Sequence, residues 1–224
     1  MFESKSGILL LAGLGFFILA FVSNAIVPIL MYKDLEEQTV EQLVDPKVNK
    51  NVVAELRDLE RRYPETFQKY IGEASPARAA ELLEKGRDVY VGEGCWHCHS
   101  QFIRPVSNES KRWGPVAASE EYENELQRPV LFGTRRVGPD LSREGGRRGS
   151  DWHVAHFWDP ALTSPGTVMP AYKWFLEENS QGQPVPNEKG FAIVLYLQWL
   201  GSWLPYPTYP YYEQTEEVLG KAGY

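Results

Sequence analysis

Two cysteines stand three positions apart, and a histidine follows the second at once, in Cys95-Trp96-His97-Cys98-His99. They are the only two cysteines in 224 residues, so no disulfide framework spread along the chain can hold the fold. Whatever the chain folds into must bring both thiols and the imidazole to one short turn. Cys-x-x-Cys-His is the attachment signature of a c-type haem. Two thiols add across the haem vinyl groups, and the adjacent imidazole reaches the iron from the same turn. The spacing therefore assigns Cys95 and Cys98 to covalent attachment and His99 to the iron. His97 lies between the cysteines, where the geometry points it away from iron, and takes no role. Two other chemistries use such a pair. A redox-active Cys-x-x-Cys is expected near a βαβ pattern, and none precedes this one. A zinc site needs four ligands, and His153 with His156 could complete that set, so zinc remains the alternative.

The second constraint lies at the start. Residues 7–31 are apolar apart from Ser23 and Asn24, and carry no charge. As a helix rising 1.5 Å per residue they would run about 37 Å, more than the ~30 Å hydrocarbon core of a bilayer. Pro28 would only bend or end that helix near its far end. A cleaved signal peptide is the competing reading, with Ser23-Asn24-Ala25 as a small-residue cleavage site. Against it, Lys5 is balanced by Glu3, and the apolar run continues past the cut. An uncleaved anchor is expected. Lys5 and Lys33 nearly cancel, so charge alone leaves orientation open. The haem decides it, because c-type haem is attached on the outer side of the membrane. The N-terminus is then cytoplasmic, and everything after Lys33 lies outside.

Residues 34–74 are strongly charged, with two helices expected around a break at Asp45-Pro46. Val52, Val53, Leu56, Leu59 and Tyr63 recur at helical spacing and give the second helix a narrow apolar stripe. This reads as a solvated helical linker with one face packed on the main domain. Ser75-Pro76 opens the next helix, which runs up to the haem motif. Residues 108–150 read as long loops. A last helix is expected over 188–200, closed by Gly201, and the Pro- and Tyr-rich tail after residue 204 should be extended. The resulting division is 1–33 anchor, 34–74 linker, 75–204 haem domain and 205–224 tail.

The region around the motif resembles class I cytochromes c, which pack a helix ending at the attachment site across a C-terminal helix. Gly86 and Tyr90 precede Cys95 at the spacing those proteins use, and residues 191–197 are similar to their last helix. Gly86 would let the two backbones approach, with Tyr90 and Tyr196 filling around the crossing. The iron needs a sixth ligand. Of three methionines, Met1 is terminal and Met31 lies in or near the membrane, which leaves Met169, followed by Pro170. A thioether opposite imidazole raises the reduction potential. His153 or His156 is the runner-up, giving a bis-His haem. Gly138-Pro139-Asp140-Leu141 also resembles class I cytochromes, and that resemblance gives the Pro139 carbonyl the hydrogen bond from the ligating imidazole. Arg104 and Arg136, chosen for proximity to motifs, should neutralise the haem propionates.

With these residues in place the chain resembles the monohaem cytochrome c subunit of cbb3-type cytochrome oxidase, the FixO/CcoO family. The resemblance starts at Gly86-Arg87-Asp88-Val89-Tyr90 and runs from Cys95 through Pro105. It continues in Arg112-Trp113-Gly114-Pro115, in residues 133–141, in Asp151-Trp152-His153-Val154-Ala155-His156 and in Met169-Pro170-Ala171-Tyr172. The single anchor also fits. The resemblance implies a mainly α chain, with one transmembrane helix and a class I cytochrome c-like domain with long loops. It implies a relay from another cytochrome c to the haem–copper catalytic subunit, in the inner membrane, with no active site of the chain's own. It also implies a calcium ion at a subunit junction. Residues 34–74, the loop 120–129 and the tail after Trp203 depart from the family's pattern.

Two functions of other kinds compete. One is a cytochrome subunit of another membrane complex, such as a nitric oxide reductase. The other is an enzyme in which His153 or His156 works at an open iron. Nucleic acid is not an expected partner for a chain of net charge -7.

Overall fold

A computed structural model describes residues 4–204. The chain divides into two units, Met1–Glu37 and Gln38–Tyr224. The described residues are mainly helical. The sequence reading of residues 205–224 lies outside them.

In the first unit, helix α1 (Lys5–Phe21) begins at Ser4, whose hydroxyl accepts from the Gly7 amide. It runs through a π-helical stretch, Val22–Ile26, into α2 (Val27–Tyr32). The whole of Lys5–Tyr32 is long and apolar enough to cross a membrane. Pro28 does not end it. A proline lacks the amide proton and crowds the carbonyl four residues back, here that of Asn24. The wider π turn just before it changes that register, with the Val27 amide bonding to the Val22 carbonyl. The Ser23 hydroxyl and the Asn24 amide reach back to the Leu19 and Ala20 carbonyls at 2.8 and 2.9 Å.

The second unit is built on two crossing helices, α6 (Pro76–Gly92) and α11 (Glu188–Trp199). Ser75 caps α6 by accepting from the Arg78 amide, and Pro76 fills a first-turn position where no amide is needed. Asn187 caps α11, and Gly201, at φ 77°, follows its end. Gly190 to Trp199 are all buried, so α11 is the core of the unit. The crossing needs Gly86. A Cβ there would sit 2.3 Å from the Ala192 carbonyl oxygen and 2.5 Å from the Tyr196 Cβ. Tyr90 and Tyr196 fill beside it, ring centroids 5.6 Å apart.

Residues ahead of α6 join the same core. Where two helices were expected there are three: α3 (Val40–Leu43), α4 (Lys50–Arg62) and α5 (Pro64–Tyr70). Pro64 accounts for the extra break, because the residue before a proline is forced out of helical geometry and α4 stops at Arg62. The apolar stripe of α4 buries Val52, Val53, Leu56 and Leu59, and Tyr63 meets the Phe191 ring edge-on.

From residue 100 to 149 regular structure is sparse, with α8 (Glu109–Trp113) the longest helix there. Buried ion pairs hold this stretch. Arg143 grips both Glu121 oxygens, at 3.0 and 2.6 Å, and donates to the Pro115 carbonyl. Before this stretch stands α7 (Cys95–Cys98), which carries the motif, and after it come α9 (Ser150–Trp158) and α10 (Pro160–Thr163). Last before α11 is an antiparallel hairpin of β1 (Leu176–Glu178) and β2 (Pro184–Pro186).

Candidate functional site

The end of α6 sets the position of the motif. After Gly92 the chain turns through Gly94, in the left-handed region at φ 73°, and starts α7 at once. One helical turn then separates the two thiols, both of them free. Cys95 is buried and Cys98 half-buried. Burial pushes the Cys95 thiol up to about 12, with Glu93 adding to the rise. His99 leaves the helix in extended geometry, its amide bonded to the Cys95 carbonyl.

The imidazole of His99 is held from several sides. Its Nδ1 lies 2.9 Å from the Pro139 carbonyl oxygen. A carbonyl only accepts, so the proton sits on Nδ1 and Nε2 keeps its lone pair for a metal. The ring rests against Gly138, where a Cβ would lie 2.3 Å from the ring Cε1. The Tyr90 hydroxyl donates to the His99 carbonyl at 2.5 Å. Burial lowers the His99 pKa, opposed by the Pro139 carbonyl and Asp140.

Asp140 fixes the loop that carries Pro139. Its carboxylate accepts from the Ser100 hydroxyl at 2.6 Å, the Phe102 amide at 2.9 Å and the Ser142 amide at 3.0 Å. Backbone bonds from Gly138 to Cys98 and from Leu141 to Ser100 complete the strap. The sequence quoted Asp140 within a motif but gave it no task; the signal was a carboxylate next to the residue meant to hold the histidine. His97 turns away and is exposed, with its ring on Thr134 and stacked against Trp96.

These residues face a cavity of about 530 Å³, within the roughly 300–1,000 Å³ usual for cofactor sites. Cys95, Cys98, His99, Pro139 and Met169 all line it. Met169 enters from the loop after α10, half-buried against the core, its amide bonded to the Thr167 hydroxyl. Ile193 and Leu197 of α11 and Phe157 of α9 give apolar wall. Two thiols one turn apart, an imidazole with a free Nε2 and a thioether on one apolar cavity fit a covalent haem.

His153 and His156, both on α9, line the same cavity. His153 is 3% exposed and its Nε2 has no hydrogen-bond partner among the described residues. His156 stacks on Trp152, with its Nδ1 2.5 Å from the Thr163 hydroxyl. Burial holds both imidazoles neutral, down to about 3 and about 4. Among the described residues no three His, Cys, Asp or Glu side chains are grouped to hold a metal ion, which leaves the zinc alternative without its cluster.

Arg104 and Arg136, expected beside the haem propionates, are placed on α8 and are not among the described residues that line the cavity. Arg104 donates to Glu109 through its amide and its guanidinium, and Arg136 reaches the same carboxylate at 2.7 Å. Glu109 is buried, and its charge draws both arginines to α8. Among the described residues the arginines on the cavity are Arg147 and Arg148.

The helix crossing and the site define a class I cytochrome c-like domain, with one N-terminal helix able to span a membrane. The chain belongs to the FixO family, described as cytochrome c oxidase, mono-heme subunit, which it matches over residues 48–199. The match takes in α4, the motif, the Pro139 loop and Met169. No curated protein matches the chain.

Proposed function

We propose that this chain is an electron-relay subunit of a cbb3-type terminal oxidase. Its haem would be covalently joined through Cys95 and Cys98, and His99 and Met169 are the residues that would hold the iron. The observation that carries this reading is one cavity lined by both thiols, the carbonyl-held imidazole and Met169. The bound haem supplies a one-electron redox centre. Pro139 keeps the proton on Nδ1 of His99 and makes the other nitrogen a stronger donor. Met169 offers a neutral soft ligand, and the apolar wall from α11 excludes water; both favour a high potential.

Electrons would come from a further cytochrome c and leave towards the haem–copper catalytic subunit, where oxygen is reduced. The anchor, residues 1–33, would place its N-terminus in the cytoplasm and the haem domain, residues 75–204, outside the inner membrane. Residues 34–74 would pack on that domain. A calcium ion at the junction with the catalytic subunit belongs to the same reading.

The test uses the full chain, matured with haem and solubilised in mild detergent. Haem should stay on the chain through denaturing electrophoresis. The oxidised protein should show the near-infrared thioether-to-iron charge-transfer band, and Met169→Ala should abolish it. A wild-type chain without that band would sink the Met169 assignment. Co-purification should bring down an oxidase catalytic subunit; recovery of a nitric oxide reductase instead would overturn the destination.

A further inference from the structure

One wall of the cavity has no part in the scheme above. It is made by α9 and the turn before it, and it presents His153, Arg147 and Arg148. His153 is almost wholly buried, yet its Nε2 meets no partner among the described residues. A buried polar atom left in that state is costly, and groups in native proteins are seldom left so unless something else satisfies them.

What surrounds His153 tells what that something is. The Arg148 guanidinium lies 3.9 Å from the Trp152 ring centroid, and its Nε is 3.7 Å from the buried carboxylate of Glu144. Arg147 reaches Glu144 as well, at 3.4 Å. Both guanidinium groups are thus held in place from one side, by an acid fixed in the wall. Burial, with His156 and then Arg148 adding to it, disfavours protonation of His153, so the ring stays neutral and one nitrogen can act as a donor. A neutral N–H donor on the same cavity wall as two fixed cations is the surrounding that a carboxylate needs when it leaves water. Haem brings two carboxylates, its propionates, wherever it goes. A metal ion would gain nothing from cations as neighbours.

We propose that Nε2 of His153 donates a hydrogen bond to a haem propionate, with Arg147 and Arg148 as the cations beside it. His153 thus binds the edge of the cofactor and not the iron. The inference rests on the reading of the cavity as a haem site, and it gives the α9 wall the task first expected of Arg104 and Arg136.

The test compares the full-length, haem-loaded wild type with His153→Leu, which removes the donor, and His153→Gln, which keeps an N–H group. In His153→Leu the covalent haem and the near-infrared thioether band should remain. The propionate bending mode in the resonance Raman spectrum should shift. At a fixed ambient potential the reduced-to-oxidised ratio should fall by up to about tenfold, the weight of one hydrogen bond, because an uncompensated carboxylate favours ferric iron. His153→Gln should move both readouts less, and it serves as the test variant if the leucine protein does not load haem. An unmoved propionate mode together with an unmoved ratio in His153→Leu overturns the proposal. So does loss of the thioether band in either variant, which would put His153 on or against the iron. A wild-type chain with no covalent haem defeats the underlying reading instead, and is seen before any variant is made.

Discussion

Gly138→Ala should disturb the iron-facing histidine through a single methyl group. The built Cβ lies 2.3, 2.6 and 2.8 Å from Cε1, Nδ1 and Nε2 of His99, so it sits against the ring itself. Ordinary contact between carbon atoms is about 3.5–4.0 Å, so the ring and loop must part by about 1.2 Å. The loop cannot give easily, since Gly138, Leu141 and the Asp140 carboxylate all tie it to residues 98–102. The ring must then retreat, and its 2.9 Å bond to the Pro139 carbonyl passes beyond hydrogen-bond range. Overpacking costs roughly 1–3 kcal/mol and the lost bond about 1, so about 2–4 kcal/mol in all. In a domain of this size that lowers Tm by roughly 5–15 °C.

Thermal melts followed by circular dichroism read the first effect. Redox titration reads the second, because an imidazole that no longer donates to a carbonyl is a poorer donor to iron, and the potential should rise. Gly92→Ala is the control. Among the described residues nothing beyond its own helix turn lies within 4 Å of its built Cβ, so it should leave the potential unchanged and hold or slightly raise Tm. A Gly138→Ala protein that matches wild type in both Tm and potential, beside a well-behaved control, would refute the account of how His99 is held.

Gly86→Ala gains up to about 1 kcal/mol of helix propensity but forces the α6–α11 crossing apart, so a net loss of about 2 kcal/mol is expected. Denaturant melts check it; equal or greater stability would mean that the helices do not touch there. Burial alone would raise the Glu109 pKa, but the Arg104 amide and guanidinium and the Arg136 guanidinium hold it below its ordinary value. A depressed carboxylate contributes stability above its unfolded pKa and loses it as pH falls through that value and below. Glu109→Gln should therefore cost about 2 kcal/mol at neutral pH, by taking charge-assisted bonds from Arg104 and Arg136 and leaving buried Arg136 with Asp140, 3.6 Å away, as its acid, and flatten the fall in stability below about pH 5. Melts from pH 7 to 3 that run parallel for the two proteins would rule this out.

What could be read in the sequence was what neighbours in the chain decide. Ser75-Pro76 and Asn187 open their helices because a cap bonds within its own first turn. The stripe Val52, Val53, Leu56, Leu59 lies on one face because 3.6 residues make a turn. The motif needed nothing beyond five residues. The third helix before α6 was missed although Tyr63-Pro64 marked its break, and so were α9 and the β1–β2 hairpin, short elements held by packing more than by local preference. The path of Pro28 depended on a π turn that no periodicity announces.

The arginines show where local reading stops. Arg136 stands two positions from Gly138 in the chain, yet its guanidinium lies on Glu109, 2.7 Å away, because the loop between them folds back on α8. Nothing in the residues around Arg136 names that partner. An arginine takes whichever carboxylate the fold brings to it, and a buried one pairs tightly, since the cost of leaving it alone exceeds what any surface position would lose. Arg147 and Arg148 reach the cavity for the same reason in reverse. Glu144, buried beside them, fixes them where α9 begins, and α9 folds back to close the wall that the motif opened. Distance along the chain from a known ligand is thus a poor guide to charged partners. The buried acid that each cation must satisfy is the better one, and Glu109, Glu121 and Glu144 were the residues to follow.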